Sequence, residues 1–308
     1  MADIFKFKGL MKRSTEKDER KQKLKRSQEA ILNKKTPFIV QEAYRTARTN
    51  IIFSVADCED KCKVIGVTSS NAGEGKTTTA LNLAITFAQT GSKVLLIDGD
   101  LRKPRVHQYL GVVKTDGLTT VLSKQKEFED VVYHNLRPGL DCLTSGAIPP
   151  NPAELLSSDA MKKLIEKLKE DYDYILIDTP PVTVVTDAVA LSGCLSGVLL
   201  VVREGYTSHE SIDHTLNLLR MAQAKVLGFM VNDVNSSSIN YGSYKSSYGK
   251  KYKNSSKYGS GYGYGYGYGY GYGYGYGYGY SNADRSTEGE QSDENASVKE
   301  ENKEIENS

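Results

Sequence analysis

The feature that most constrains this chain is residues 69–78, SSNAGEGKTT, which lie between an apolar segment and a helical pattern. Residues 64–67 are short and mostly β-branched, and residues 80–88 repeat apolar side chains at helical spacing. The order of strand, glycine-rich turn and helix is typical of a loop that binds nucleotide phosphates. Gly73 and Gly75 let the backbone approach a polyphosphate, and the free N–H groups at the helix start favour the anion.

Within this loop we expect Lys76 to contact the β and γ phosphates of ATP, and Thr77 to place its hydroxyl on Mg²⁺. One departure from the consensus is Ser70, because the motif opens with glycine. The simpler alternative is a turn followed by a helix start. The predicted phosphate-binding residues are Ala72, Gly73, Glu74, Gly75, Lys76, Thr77 and Thr78.

Two further apolar segments end in acids and favour the nucleotide site over a plain turn. Residues 94–100, VLLIDGD, end in Asp98 and Asp100, and residues 174–180, YILIDTP, contain Asp178. Ligands of parallel sheets bind outside the carboxyl ends of the strands, so we expect these carboxylates to converge with Lys76. A magnesium nucleotide needs such oxygen donors. The alternative is that these aspartates cap the helices that follow, Asp100 above all.

Alternating strand and helix patterns across residues 37–235 predict an α/β fold with a doubly wound, mostly parallel sheet, similar to P-loop NTPases. About 200 residues are enough for one packed core. No apolar run reaches the ~20 residues of a membrane helix, and no signal peptide precedes the domain, so a cytoplasmic chain is expected. The four cysteines lack paired zinc spacing, and the four histidines are scattered.

The two ends of the chain have biased compositions, and we expect both to be disordered. Residues 1–36 are predicted to form a basic arm, and residues 1–35 carry twelve Lys and Arg against five Asp and Glu. Residues 236–280 are rich in tyrosine and glycine and end in ten Gly-Tyr repeats, and residues 281–308 form an acidic tail. A tyrosine-rich tail can be a flexible, self-associating segment. Beside a phosphoryl-transfer site, its hydroxyls become candidate substrates.

Four motifs together resemble the bacterial tyrosine kinases of capsule and exopolysaccharide export. They are the phosphate loop, residues 96–104 (LIDGDLRKP), residues 149–156 (PPNPAELL), and residues 177–181 (IDTPP) with Asp187. The loop alone is shared with partitioning and division-site ATPases, but those proteins usually have a second lysine where this chain has Asn71. The sequence also has Ala72 and Gly99 where proline and alanine are frequent in the kinases.

The resemblance implies an ATP-dependent protein-tyrosine autokinase with Lys76, Asp98 and Asp100 as catalytic residues. Lys76 stabilises the transferring phosphate, and Asp98 accepts the tyrosine proton, although Asp98 and Asp100 could exchange roles. Thr77, Asp100 and Asp178 hold Mg²⁺ directly or through water. Positioning and charge stabilisation do most of the work in phosphoryl transfer. The implied phosphoacceptors are Tyr262, Tyr264, Tyr266, Tyr268, Tyr270, Tyr272, Tyr274, Tyr276, Tyr278 and Tyr280.

A helical segment upstream of the loop carries Glu42, Arg45 and Arg48 on one predicted face, and Val40, Ala43, Ala47 and Ile51 on another. A solvated face with an i,i+3 ion pair, worth ~0.2 to 0.5 kcal/mol, is the simpler interpretation. The Glu-x-x-Arg-x-x-Arg pattern is nevertheless similar to the motif by which these kinases pack into rings. The resemblance therefore implies a homo-oligomeric ring.

Further partners are implied by the same resemblance. They are a membrane-embedded activator of polysaccharide export, which recruits the cytoplasmic kinase to the inner face of the cell membrane, and a cognate phosphotyrosine phosphatase. The basic arm could itself lie on an anionic membrane or be a solvated linker. The formal net charge of +2 gives no support to a nucleic-acid partner, and none is expected.

Two other functions stay open at this point. A partitioning-type ATPase switch would use the same phosphate site for hydrolysis without phosphotyrosine. A scaffold would use the tyrosines and lysines of the tail to bind nucleic acid or form condensates. Asn232, after the last predicted strand, is a weak candidate for recognition of the adenine base, with a turn role as the alternative.

Overall fold

The computed structural model describes residues 22, 24, 25, 28–184 and 187–234. Most of the predicted basic arm, the predicted phosphoacceptor tyrosines and the acidic tail lie outside the described residues. The structural statements below concern the described part.

A seven-stranded sheet forms the centre of the described domain, in the order β3-β4-β2-β5-β1-β6-β7. All neighbouring strands are parallel except β3 and β4, which pair antiparallel at one edge. The strands are β1 (Lys63–Ser69), β2 (Val94–Asp98), β3 (Tyr133–Arg137), β4 (Leu140–Leu143), β5 (Tyr174–Asp178), β6 (Gly197–Arg203) and β7 (Val226–Asn232).

The first helix precedes β1, and the other helices lie between the strands in the chain. They are α1 (Phe38–Ser54), α2 (Lys76–Ala88), α3 (Val106–Leu110), α4 (Leu118–Leu122), α5 (Pro152–Leu156), α6 (Asp159–Leu168), α7 (Asp187–Ala190) and α8 (His209–Met221). The predicted doubly wound, mostly parallel α/β fold is confirmed.

The core follows from the composition of the central strands. Side chains of β2 are buried along its whole length, and those of β1 and β5 are buried except at the first residue. Continuous apolar strands of this kind belong to parallel sheets covered on both faces. One apolar cluster packs α2 against the sheet, and a second packs α4 and α6 against it. Both clusters hold the carboxyl ends of β1, β2 and β5 in fixed positions.

Two parts of the domain differ from the sequence-based expectation. The β3–β4 hairpin was not predicted, because β3 alternates irregularly and has a register shift. The segment predicted as one helix over residues 186–195 contains the short helix α7 and a 3₁₀ turn, Ser192–Cys194.

The folded domain also includes residues that precede the predicted boundary at residue 37. Ile31 and Leu32 are buried in the core. The backbone N–H of Leu32 donates to Asn82 Oδ1 at 2.8 Å, and Arg137 donates to the Leu32 carbonyl at 2.8 Å. The end of the basic arm is therefore packed against α2 and β3.

The buried face of helix α1 matches the predicted one at Ala47 and Ile51 but not at Val40 and Ala43. Tyr44 and Ile51 are buried, whereas Val40 is 37 % exposed and Ala43 is exposed. The buried stripe follows i, i+3 and i+7 spacing from Tyr44 through Ala47 to Ile51. In the described part of the chain, no helix is both long and apolar enough to cross a membrane.

Candidate active site

The phosphate loop joins the carboxyl end of β1 to the start of α2. Gly73 and Gly75 have φ of +91° and +94°, which favour glycine because it lacks a Cβ. A Cβ on Gly75 would also lie 2.4 Å from Asn232 Nδ2. Helix α2 begins at Lys76, so its unpaired N–H groups point out of the loop. The local geometry matches that of an anion-binding helix start.

The loop is held from behind by the carboxylate of Glu74, which is buried. It accepts hydrogen bonds from the Asn71 N–H at 2.9 Å and from Thr207 Oγ1 at 2.7 Å. Asn232 Nδ2 donates to the Glu74 carbonyl at 2.8 Å, and Tyr206 donates to the Ala72 carbonyl at 3.2 Å. These contacts brace the loop against the ends of β6 and β7, and the Glu74 side chain is fully engaged in them.

The strand-end acids converge on Lys76 as predicted. Asp98 and Asp178 are paired in register across β2 and β5. Lys76 Nζ lies 2.9 Å from Asp100 Oδ2 and 3.5 Å from Asp178 Oδ1. Thr77 Oγ1 donates to Asp178 Oδ2 at 2.7 Å. One ammonium and one hydroxyl therefore contact two carboxylates at the edge of the sheet.

Asp98 and Asp100 also have backbone partners, as the capping alternative suggested. Asp98 Oδ2 accepts from the N–H of Val106, the first residue of α3, at 3.1 Å. Asp100 Oδ1 accepts from the Lys103 N–H at 3.0 Å. The other oxygen of Asp98, Oδ1, is buried without a hydrogen-bond partner among the described residues. One oxygen of each side chain thus holds the local backbone. The second oxygen of Asp100 contacts Lys76, and that of Asp98 has no partner among the described residues.

Burial and crowding of charge shift the pKa values of this group. Burial opposes the charged form of Lys76, but Asp178 and Asp100 outweigh it and hold the pKa of Lys76 above its usual value. Burial raises the pKa of Asp178 against the opposing effects of Lys76 and Thr77. Burial and the nearby charge of Asp178 raise the pKa of Asp98 to about 8. A further cation beside these carboxyl groups would favour their ionised forms and lower their pKa values again.

The donor chemistry fits Mg²⁺ bound together with a phosphate chain. Hydroxyl and carboxylate oxygens are the ligands that Mg²⁺ prefers, and it takes one or two carboxylates and several waters. In the described ranges, no three His, Cys, Asp or Glu side chains are arranged to hold a metal by themselves.

Arg102 and Asp187 form an ion pair beside the site, to which no role was assigned from the sequence. Arg102 Nε lies 2.9 Å from Asp187 Oδ2, and Arg102 Nη2 lies 3.1 Å from Oδ1. Asp187 is fully buried. The pair connects the turn after β2 to the start of α7. Both residues belong to the family motifs, which could have indicated a role for them. Because they are 85 residues apart in the sequence, their contact could not be predicted from spacing.

The predicted oligomerisation residues lie outside the site, and Arg48 has a different partner from Glu42 and Arg45. Arg45 Nη1 lies 2.5 Å from Glu42 Oε1 in an exposed pair. Arg48 Nη1 donates to the Thr86 carbonyl of α2 at 2.9 Å. Two of the three side chains therefore face outward, and the third contacts the helix of the phosphate loop.

Comparisons with known proteins agree with this geometry. The model of the AAA domain family matches residues 62–230. The tyrosine-protein kinase YwqD of Bacillus subtilis is 46 % identical over 204 residues, which cover 66 % of this chain and 85 % of that protein. The tyrosine-protein kinase CpsD of Streptococcus agalactiae is 36 % identical over 214 residues, covering 68 % of this chain and 90 % of the other.

Solved structures show the same relationship. The kinase domain of the Escherichia coli tyrosine kinase ETK aligns with a TM-score of 0.60 and 31 % identity, covering 73 % of this chain and 80 % of that one. The chimerical protein CapA2B2 aligns with a TM-score of 0.60 and 36 % identity, covering 63 % and 84 %. The resemblance inferred from the four motifs is confirmed, and with it the enzyme class and a nucleotide-binding domain: the chain belongs to the bacterial tyrosine kinases.

Proposed function

We propose that this protein transfers the γ-phosphoryl group of ATP to tyrosines of its own C-terminal segment. The observation that carries the proposal is the position of Lys76 between Asp100 and Asp178, at the mouth of a braced phosphate loop. Lys76 is the buried ammonium beside the start of α2, where the proposal places the phosphates. The acceptors are the ten tyrosines of residues 261–280, which lie outside the described residues.

Each group of the site has its own role in the proposed phosphoryl transfer. Backbone N–H groups of the loop and of the α2 start bind the phosphates, and Lys76 Nζ stabilises charge on the transferring group. Thr77, Asp100 and Asp178 would hold Mg²⁺, which when bound neutralises phosphate charge. Most of the rate enhancement comes from this positioning and charge stabilisation, because the transition state is loose.

Asp98 is the proposed acceptor of the tyrosine proton, with Asp100 as the alternative. The support for Asp98 is its Oδ1, which has no hydrogen-bond partner in the described part of the chain, whereas the second oxygen of Asp100 already contacts Lys76. An acceptor must be within hydrogen-bond reach of the phenol. Asp98 is fully buried, so the α3 start that covers it has to admit the tyrosine.

The proposed assembly and partners rest on the relatives. Relatives named for capsule and exopolysaccharide systems, among them CpsD and EpsB, support a role in regulating capsule or exopolysaccharide synthesis and export. We propose a membrane-embedded activator that recruits the kinase to the membrane, a cognate phosphotyrosine phosphatase, and a ring that uses Glu42, Arg45 and Arg48. The exposed Glu42–Arg45 pair is available for such contacts.

The test is autophosphorylation of the full chain with ATP and Mg²⁺, with and without the membrane activator. We expect phosphotyrosine in the wild type, none in Lys76→Met, and normal labelling in Lys61→Met, which replaces an exposed lysine. Deletion of residues 241–280 should remove the label. Labelling that persists in Lys76→Met or after the deletion would contradict the proposal.

Two further measurements on the same proteins, of ATP hydrolysis and of nucleic-acid binding, separate the two other functions. ATP hydrolysis without any phosphotyrosine would favour an ATPase switch. Binding of RNA or single-stranded DNA that persists in Lys76→Met would favour a scaffold.

A further inference from the structure

A cleft of about 500 Å³ opens at the carboxyl edge of the sheet, beside the site described above. Residues that line it include Thr119, Ser123, Ile148, Pro149, Pro150 and Leu155. We call it the proline cleft. It includes part of the PPNPAELL motif, to which the proposed chemistry assigns no role.

One wall of the proline cleft is fixed to the end of β4. The N–H of Leu118 donates to the Thr144 carbonyl at 2.8 Å, and the N–H of Thr119 donates to the Ser145 carbonyl at 3.0 Å. The contact is close, because a Cβ on Gly117 would lie 2.1 Å from the Thr144 carbonyl oxygen. The wall formed by α4 is therefore preformed, which lowers the entropic cost of binding.

The strand end to which this wall is bonded lies one strand away from Asp98. Ile97 and Leu143 are partners in register across β2 and β4, so Asp98 and Thr144 follow at the same level. Neighbouring strands are about 4.8 Å apart. A chain bound in the proline cleft is thus delivered next to the strand end at which we place phosphoryl transfer.

The lining chemistry favours an aromatic ligand with a hydroxyl. Ile148 is 58 % exposed, and Pro149 and Pro150 provide flat apolar surface beside it. Contacts between proline and aromatic rings carry the recognition of proline-rich peptides, with the prolines then on the ligand. Ser123 lies among the lining residues and can bond to a phenolic hydroxyl. None of the described residues that line the cleft is Lys or Arg, so the cleft does not suit a phosphate.

We propose that the proline cleft docks the unphosphorylated Gly-Tyr segment, residues 261–280, while a neighbouring tyrosine is phosphorylated. The inference rests on the proposed function, because it gives the acceptor segment a second binding point. In an extended chain, side chains two residues apart are about 6.6 Å apart on the same side. When one tyrosine is docked in the cleft, the next tyrosine on the same side of the chain therefore lies closer to the proposed phosphoryl-transfer site.

Charge supports this occupant over a phosphorylated one. Residues 261–280 contain no charged side chain before phosphorylation, and Glu154 lines the cleft. Each phosphotyrosine adds about −1.5 to −2 charges, which Glu154 would repel. Docking therefore weakens as the segment becomes phosphorylated, and the product leaves.

The length of the chain before the repeats permits docking within one molecule. Residues 235–260 follow β7, which lies five strand spacings, about 24 Å, from β4 in the sheet order. A Gly-rich random coil of that number of residues would span about 25 to 31 Å, from roughly 5 to 6 Å times the square root of the residue number. The tail of a second copy is an additional source and not a requirement.

The first test is photocrosslinking in the full chain with Ile148→p-benzoylphenylalanine. We expect crosslinks to residues 261–280, identified by mass spectrometry, that decrease after phosphorylation. Met221→p-benzoylphenylalanine is the matched control, because Met221 is 82 % exposed at the end of α8, which precedes the amino end of β7. Absence of these crosslinks, or an equal yield from position 221, would overturn the docking proposal.

The second test is kinetic and uses Ile148→Arg with Met221→Arg as its control. We expect the initial rate of tail phosphorylation to fall about tenfold in Ile148→Arg. The KM for ATP and the phosphorylation of the free tripeptide Gly-Tyr-Gly should stay unchanged, since a peptide with one tyrosine cannot occupy both positions. An unchanged tail rate would also overturn the proposal.

The two proposals fail separately. If the chain makes no phosphotyrosine and the crosslinks from position 148 still reach residues 261–280, the proposed function is wrong and docking stands. If phosphotyrosine forms on the tail without those crosslinks, docking is wrong and the proposed function stands.

Discussion

Asp141 and the aspartates of the candidate site lie at opposite edges of the sheet, and their carboxyl oxygens differ in how fully they are hydrogen-bonded. Asp141, near the amino end of β4, has both oxygens paired: Oδ1 accepts from the Asn135 N–H, and Oδ2 lies 2.7 Å from the Tyr172 hydroxyl and 2.8 Å from His134 Nδ1. At the carboxyl edge, Asp98 keeps a buried oxygen unpartnered among the described residues.

The pKa values follow this difference. Burial would raise the pKa of Asp141, but hydrogen bonds from Asn135, Tyr172 and His134 outweigh it and hold it below the ordinary value. Asp98 and Asp178 have raised pKa values because burial outweighs their partners. A carboxylate that the fold satisfies stabilises the structure, whereas carboxylates left partly unsatisfied and crowded mark the site of chemistry.

The largest expected effect is on activity at the carboxyl edge. We expect Asp178→Asn to reduce autophosphorylation at least about 100-fold, because it removes a charge from the proposed metal site and a contact of Lys76 and Thr77. Asp141→Asn should change the rate less than about twofold. Initial rates of phosphotyrosine formation at saturating ATP measure both, and comparable losses in the two variants would break the comparison.

The next effect is on stability at the amino edge. Asp141→Ala leaves the Asn135 N–H, the Tyr172 hydroxyl and His134 without their acceptor, and we expect the free energy of unfolding to fall by about 1 to 3 kcal/mol. Urea unfolding followed by circular dichroism measures this change. Asp159→Ala is the control, because the side chain of Asp159 is 85 % exposed and a surface pair contributes little. Equal midpoints for wild type and Asp141→Ala would show that the network is not stabilising.

A smaller effect is expected at Glu74, which lies at the carboxyl edge but is fully paired. Thr207→Val removes the 2.7 Å hydrogen bond to its carboxylate and the acceptor of the Arg203 N–H, and it loosens the back of the phosphate loop. We expect the KM for ATP to rise about fivefold, equivalent to roughly 1 kcal/mol, with little change in kcat. Steady-state kinetics give both values. Thr90→Val, in the turn after α2, is the control, and a loss confined to kcat would contradict a bracing role.

The smallest effect is a pH dependence of stability. Because the pKa of Asp141 is lower in the folded state, its ionised form stabilises the fold above the unfolded pKa of about 3.9. That stabilisation is lost as the pH falls through the folded pKa. The difference in unfolding free energy between wild type and Asp141→Asn should be constant above about pH 5 and shrink below about pH 4. A difference that grows on acidification would show that another group controls this region.

Local patterns were enough to predict the elements that carry the site. The strand before the phosphate loop, the start of α2 and the acids after β2 and β5 lie in continuous apolar segments with short turns, so their order fixes their edge of the sheet. The convergence of Lys76 with Asp100 and Asp178 followed from that edge alone. The roles of these residues stay predictions until the variants are measured.

Contacts between distant segments could not be predicted in the same way. Glu74 and Thr207 are 133 residues apart, and nothing in the loop sequence indicates that the Glu74 carboxylate turns away from the phosphate side. Asn232, suggested as a base-recognition residue, donates to the phosphate loop instead, and whether it also contacts adenine stays a prediction. On α1, either Ala43 or Tyr44 could belong to the buried stripe, and in the structure Tyr44 is the buried residue.

The contact between Gly75 and Asn232 has a consequence for engineering. Any side chain at position 75 would have to adopt a φ of +94° and would also collide with the amide of residue 232. Shrinking residue 232 relieves the collision but also removes the hydrogen bond to the Glu74 carbonyl, and the backbone cost persists. No single substitution at position 75 or 232 therefore enlarges the space beside the phosphate loop without a cost in stability. In laboratory evolution we expect both residues to stay unchanged while neighbouring positions vary.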